Sequence, residues 1–222
     1  MNYLALCQRL RQEAGISGTG PSTVTGQTGE YARVVSWVAG AYEDVQRTYK
    51  NWRFLRTEFS FSAISGVQEY TPAAVSLDDL AAWKRESVRV YDSAADETEL
   101  LYVPWDDFRR SYKYGSNRTQ SGRPTVVSIQ PSNSLILWPI PDAAYTVNGE
   151  YYKTADTFAD NTDEPIFDDR FHMIIVWKAL MHYGGYEAAD EAYARGEREY
   201  NRILARMQLD CLDDMTFGEP LA

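Results

Sequence analysis

Few residues in this chain have both the type and the spacing that chemistry demands. Its two histidines, His172 and His182, stand ten positions apart on one helical stretch, whereas a metal pair on a single helix needs a separation of three or four. They read as core or interface histidines. The two cysteines, Cys7 and Cys211, lie near opposite ends of the sequence. A zinc site needs close pairs and a disulfide framework needs more thiols, so both read as reduced, buried side chains made in a reducing cytoplasm. Paired carboxylates occur at Asp78-Asp79, Asp106-Asp107, Asp168-Asp169 and Asp213-Asp214. Glycoside hydrolysis uses two such groups across a cleft, but each pair falls at an expected helix start or in a loop, where acids cap helices and carry solvated charge. No Gly-x-Ser-x-Gly elbow, phosphate-cradling glycine loop or dinucleotide fingerprint is present. The sequence therefore assigns no catalytic residue, no metal ligand and no cofactor, and the expectation is a protein that is not an enzyme.

The remaining candidate is a basic, aromatic cluster, Arg109-Arg110-Ser111-Tyr112-Lys113-Tyr114, continuing to Arg118 and Arg123. Rings between cations can stack on nucleic-acid bases. The surrounding acid favours a face that touches another protein instead. The formal net charge is −10, and the excess is uneven: residues 1–149 are nearly neutral, while residues 150–170 and 186–222 carry −5 each. Tight, sequence-independent nucleic-acid binding needs a basic surface that releases counterions, so that class is excluded. The 16 tyrosines and 6 tryptophans supply the amphipathic contact area found at protein interfaces, or an aromatic core. No apolar run approaches the roughly 20 residues of a membrane span, and, with no basic stretch before the apolar residues of Met1–Leu6, no secretory signal is expected.

The elements that would position these residues fall into three regions. In the first, Leu4, Leu6, Cys7 and Leu10 mark a short amphipathic helix, a Gly/Ser/Pro loop follows, and Val34, Val38, Tyr42, Val45, Tyr49 and Trp52 recur at helical spacing in a helix capped at Thr28. The second alternates. Residues 57–61 and 67–70 read as a hairpin about Gly66, with strands at 87–91, 99–103, 125–129, 134–138 and 145–152, and a short helix after Pro104. In the third, the stretch from Phe167 to Trp177 is apolar nearly all round and should be buried, with Gly184-Gly185 ending its helix. The last helix carries an attractive Glu191–Arg195 pair.

The fold class is α+β: a helical bundle from residues 1–53 and 154–209, an inserted antiparallel β domain (small sandwich or barrel) over 54–153, and an extended tail over 210–222.

The order of several motifs carries a resemblance. They are Tyr49-Lys50-Asn51-Trp52-Arg53-Phe54-Leu55, Gln68-Glu69-Tyr70-Thr71, Gly122-Arg123-Pro124-Thr125, Leu135-Ile136-Leu137-Trp138-Pro139-Ile140-Pro141-Asp142, Tyr151-Tyr152-Lys153 and the helix after Arg170-Phe171. Over most of residues 1–208 the chain resembles the head-to-tail adaptor (connector) proteins of short-tailed bacteriophages, the tail tubular protein A group. The resemblance implies a structural virion protein at the head–tail junction. It implies a homo-oligomeric ring of about twelve copies, which joins the portal protein to the tail nozzle or other tail proteins. DNA would pass through its channel without sequence-specific binding, and no membrane is involved. On this expectation Leu212, Met215 and Phe217 anchor the tail on the portal, while Arg109, Tyr112, Tyr114 and Arg123 make subunit or tail contacts. The alternatives are a tail-associated glycan-binding or glycan-hydrolysing module and another tail or baseplate structural protein.

Overall fold

The computed structural model describes residues 1–93 and 95–213. The chain divides into two compact units, one of Met1–Phe54 with the described residues from Ala155 onward, the other of Leu55–Thr154. Together they hold five α-helices and nine strands among the described residues, an α+β architecture.

The first unit is helical. Helix α1 (Tyr3–Glu13) starts where the Asn2 side chain accepts the Ala5 N–H at 2.9 Å. Helix α2 (Gly29–Arg47) follows Thr28, which is its cap by position but makes no side-chain capping bond. Val34, Val38, Ala41, Tyr42 and Val45 are its buried stripe, the 3.6-residue period of the sequence made physical. Helix α4 (Met173–Glu187) is buried along most of its length and packs against α1, α2 and α5 (Asp190–Cys211).

Three expectations about these last helices change. Gly184-Gly185 does not end α4, which continues to Glu187, and Ala188 takes the left-handed turn at φ 51°. Gly184 instead permits close approach. A Cβ there would lie 2.7 Å from the Tyr193 nitrogen, and one on Gly196 would lie 2.9 Å from the Trp177 carbonyl oxygen. The two glycines bring α4 and α5 nearly into backbone contact. Arg195 pairs with Glu13 of α1 rather than with Glu191, and its guanidinium lies over the Trp177 ring. Helix α5 also runs two residues into the segment read as tail.

A polar clasp inside this unit ties the returning chain to α2. The buried Gln46 donates to the Asp156 carbonyl at 2.9 Å and accepts the Asp156 N–H at 2.8 Å. Tyr42 donates to the Asp156 carboxylate at 3.0 Å and accepts the Ile166 N–H. Its ring stacks on Phe158 at 4.0 Å.

The second unit is a sandwich of two sheets. In one, β1 (Arg56–Ser62) and β4 (Arg89–Tyr91) flank β9 (Thr146–Lys153), β5 (Thr98–Glu99) extends from β4, and β3 (Leu80–Trp83) also pairs with β9. The other has the order β2 (Glu69–Tyr70), β8 (Leu135–Trp138), β7 (Val126–Ile129), β6 (Leu101–Tyr102). Phe59, Val90, Val147 and Tyr151 from the first sheet meet Tyr70, Val127, Leu135 and Leu137 from the second in one core. Helix α3 (Trp105–Tyr112) covers the outer face of the second sheet, with Phe108 against Val126 and Ile136. That sheet is thus buried on both faces, which is why residues 135–138 read as a continuous apolar run rather than an alternation.

The expected hairpin over 57–70 does not form. Strand β1 pairs with β9, and β2 pairs with β8 in the other sheet. The connection around Gly66 crosses between sheets because its donors are claimed elsewhere: Ala63 N–H by Tyr145 and Gly66 N–H by Pro141. The expected strand at 99–103 splits in the same way. At the buried Leu100 the chain changes sheets, and β6 then pairs parallel to β7, so the second sheet is mixed rather than antiparallel. Strand β3 was not anticipated.

Candidate functional site

The helical unit carries two surfaces of interface character. The first is a groove of about 520 Å³ between the start of α4 and the last turns of α5. Phe171, Met173, Trp177 and Ile203 line it, with Arg170, Arg202 and Arg206 among them. The wall residues are held in place by charge. Arg170 bridges to Asp210 at 3.0 Å, Arg53 donates to the Asp210 carbonyl, and Arg202 bridges to Glu199 at 2.8 Å. Arg206 has no ion-pair partner among the described residues. Leu209, on the rim, is 80% exposed. The second surface is aromatic. Trp37 packs against Tyr183 and Tyr186, Arg33 lies 4.9 Å over the Tyr186 ring, and Tyr186 and Tyr193 are both exposed. Rings with a polar tip on an exposed ledge suit protein contacts.

In the β unit, β1 and β2 are the edge strands on one side of the sandwich, joined there by the Phe61–Tyr70 ring contact at 4.9 Å. Beside them Ile64 and Val67 are exposed at a groove of about 420 Å³. Open edges of this kind accept a strand or loop from another chain.

The expected contact residues divide. Arg109 projects from the last turn of α3 and is exposed, and Tyr114, just beyond the helix, is 59% exposed. Tyr112 turns inward, its ring 4.4 Å from Trp138 and 5.2 Å from Phe108. Arg123 is separate from this group. Its guanidinium bridges to Asp96 at 2.8 Å and donates to the Val90 carbonyl and to Thr98. It clamps the loop between β4 and β5. The backbone N–H groups of Ser93 and Asp92, together with Arg123, hold the Asp96 carboxyl below the ordinary carboxylate range. Leu212 is half-buried just past α5, with its N–H on the Gln208 carbonyl. Met215 and Phe217 lie outside the described residues.

Most of the groups considered for chemistry have structural positions of their own, and Asp214 lies outside the described residues. His172 is buried, and its Nε2 donates to the Phe167 carbonyl at 2.9 Å. His182 lies 3.3 Å from Asp44. Asp79 accepts from Tyr151, and Asp168 caps the Arg170 N–H. Asp106 and Asp107 open α3 in its first turn. Among the described residues no cluster of three or more His, Cys, Asp and Glu could hold a metal ion, and no helix is long and apolar enough to cross a membrane.

The family model described as SU10 adaptor protein matches residues 1–216, nearly the whole chain. The chain belongs to the SU10 adaptor protein family. This is a phage head-to-tail adaptor family, so the adaptor has a structural role, interacts with other virion proteins and resides in the virion. No match to a curated protein is found.

The groove at the end of the adaptor's α5 was not anticipated in the sequence. Its signal was there: Arg202, Arg206 and Leu209 follow at helical spacing, placing one large apolar residue on an otherwise charged face.

Proposed function

We propose that the adaptor assembles as a homo-oligomeric ring, of about twelve copies, that joins the portal protein to the tail nozzle or other tail proteins and lets DNA pass through its channel. The observation that supports this most is the family match over residues 1–216. The exposed aromatic ledge on the helical unit and the open sandwich edges of the β unit give each copy apolar surfaces suited to neighbours. A ring needs two different, complementary patches on each copy, because only heterologous contacts repeat around an axis. In this reading Leu212, Met215 and Phe217 dock on the portal. Arg109 and Tyr114 contact a neighbouring copy or a tail protein, with Tyr112 packed behind them on Trp138 and Arg123 clamping the separate loop between β4 and β5. The net charge of −10 suits DNA that passes without being held.

The test is mass measurement of the adaptor mixed with the purified portal protein of the same phage. A discrete complex with about one adaptor per portal subunit is the expected result, visible as an added ring by electron microscopy. Adaptor that stays free at micromolar portal would overturn the reading. A monomeric adaptor in the absence of portal would not, since ordering on docking is common for assembly proteins.

A further inference from the structure

We propose that the groove at the junction of α4 and α5 is the resting seat of this chain's own C-terminal segment, residues 214–222, which lies outside the described residues. Three observations carry it. The first is chemistry. The groove has an apolar lining of Phe171, Met173, Trp177 and Ile203 with the guanidinium groups of Arg170, Arg202 and Arg206 around it. The sequence from Asp213 to Glu219 offers the complement: acids at 213, 214 and 219, with Met215 and Phe217 between them. In a chain of net charge −10, a groove with more cations than acids is the exception; Arg170 and Arg202 are paired with Asp210 and Glu199, and Arg206, with no ion-pair partner among the described residues, is the cation left for the segment.

The second is the tether. Leu209 and Asp210 are themselves groove residues, and α5 ends at Cys211. The segment therefore begins at the rim. An extended chain advances about 3.3–3.6 Å per residue, so the four steps from Asp213 to Phe217 reach about 13–14 Å. Arg202 and Leu209 are separated along the helix by only about 10 Å at 1.5 Å per residue. A tether this short gives a local concentration of order millimolar, which lets a weak contact form within one chain before it forms between chains. The third is Leu209, a large apolar side chain 80% exposed at the rim, which a seated segment would cover.

The consequence is competition. Met215 and Phe217 cannot occupy the groove and a portal surface together, so the free adaptor keeps its anchors covered until a stronger site displaces them. The inference does not depend on the ring: a failure here leaves portal docking standing.

A fluorescent peptide of residues 213–222 tests it, titrated into the full chain and into a chain ending at Asp213. The peptide should saturate the shortened chain and bind the full chain about tenfold or more weakly, because the tethered copy already fills the seat. Arg206→Glu in the shortened chain should weaken binding severalfold. Arg198→Glu, on an exposed turn of α5 outside the groove, should not. Both sites are exposed, so both variants should fold. Absence of saturable binding to the shortened chain would overturn the proposal. Equal binding to both chains would also overturn it, and would assign the groove to another molecule's segment.

Discussion

The crossing of α4 and α5 offers the sharpest quantitative test, because adjacent glycines should respond with opposite signs. Alanine at either Gly184 or Gly185 gains about 1 kcal/mol of helix propensity over glycine. At Gly185 a Cβ meets nothing within 4 Å, so Gly185→Ala should stabilise by about 0.5–1 kcal/mol. At Gly184 the same atom would lie 2.7 Å from the Tyr193 nitrogen, 2.9 Å from its Cβ and 3.0 Å from its Cα. These are backbone and near-backbone atoms that no rotamer change removes. Overpacking costs about 1–3 kcal/mol. The net for Gly184→Ala is then a loss of about 0–2 kcal/mol, and the two variants should differ by about 1–3 kcal/mol. Gly196→Ala meets the Trp177 carbonyl oxygen at 2.9 Å and should fall with Gly184→Ala. The double variant should lose less than the sum, since the first methyl has already parted the helices. Urea unfolding followed by helical circular dichroism reads these differences directly. Gly184→Ala as stable as Gly185→Ala would refute the close-crossing argument.

The remaining predictions concern other parts of the fold. Gly149→Ala places a Cβ 2.9 Å from the buried Phe59 ring and 3.2 Å from the Ser87 carbonyl oxygen, so it should lower the unfolding midpoint of the β unit; an unchanged midpoint would count against that packing. Gln46→Leu keeps the volume but leaves the Asp156 N–H and carbonyl without the side chain that pairs with both, a loss of about 1–3 kcal/mol, measurable in the same urea assay. The backbone N–H groups of Asp160 and Ala159 hold the Asp163 carboxyl below its ordinary value. Its contribution is therefore complete above the unfolded carboxylate pKa of about 3.9 and is lost as pH falls through the depressed folded value. The protection of the Ala159 and Asp160 amides relative to their intrinsic exchange rates should fall below about pH 4, and Asp163→Asn should remove that dependence. Burial pushes the Cys7 thiol up to about 12; burial also raises the Cys211 thiol, which is only half-buried. Iodoacetamide at pH 8 should therefore label Cys211 first and Cys7 only after unfolding; equal labelling of the native protein would contradict the burial argument.

What could be read in the sequence was set by the range of the interactions involved. The α2 stripe from Val34 to Val45 was legible because a helix repeats its burial every turn. The all-round apolar character of α4 placed it at the centre of its unit for the same reason. The β unit was less legible because its pairings are distant in sequence. Glu58 and Glu150 face each other across β1 and β9, and nothing local to residues 57–70 distinguishes that partner from the neighbouring strand. Leu100 shows the limit most clearly: one residue carries the chain from β5 to β6 in the other sheet, within what the pattern presents as one strand. Arg123 was visible as a cation near aromatics, but its engagement by Asp96, Val90 and Thr98 depends on a loop folded back from 27 positions upstream. The groove at Arg206 was hidden differently. Its residues come from two helices, and only their crossing makes them a surface.

The charge distribution has local causes before it has functional ones. In the acidic stretch 150–170, Glu150 receives Arg56 and Lys84, Asp156 receives Tyr42, Asp163 caps two backbone N–H groups and Asp168 caps another. That acid holds the chain's own structure, and little of it is left for partners. Helix α5 is different. Asp190, Glu191 and Glu197 lie in its first half, and Arg198, Arg202 and Arg206 follow toward its C-terminus. The acidic first turn is what the helix dipole favours, whereas the last turn carries Asp210 and no basic residue. Asp190, Glu191, Glu197 and the nearby Glu187 make no ion pair among the described residues, and exposed Tyr186 and Tyr193 stand beside them. The basic groove sits at the other end. Asp190 and Glu191 stand at least eleven residues before Arg202, about 16 Å along the axis and about twice the Debye length of about 8 Å at physiological salt. Each end therefore meets a partner as an electrostatically independent surface. A reversal of charge at Asp190 and Glu191 should alter contacts made by the aromatic, acidic end while leaving peptide binding at Arg206 unchanged, and a shared effect on both would show that the ends are coupled through the helix rather than screened from one another.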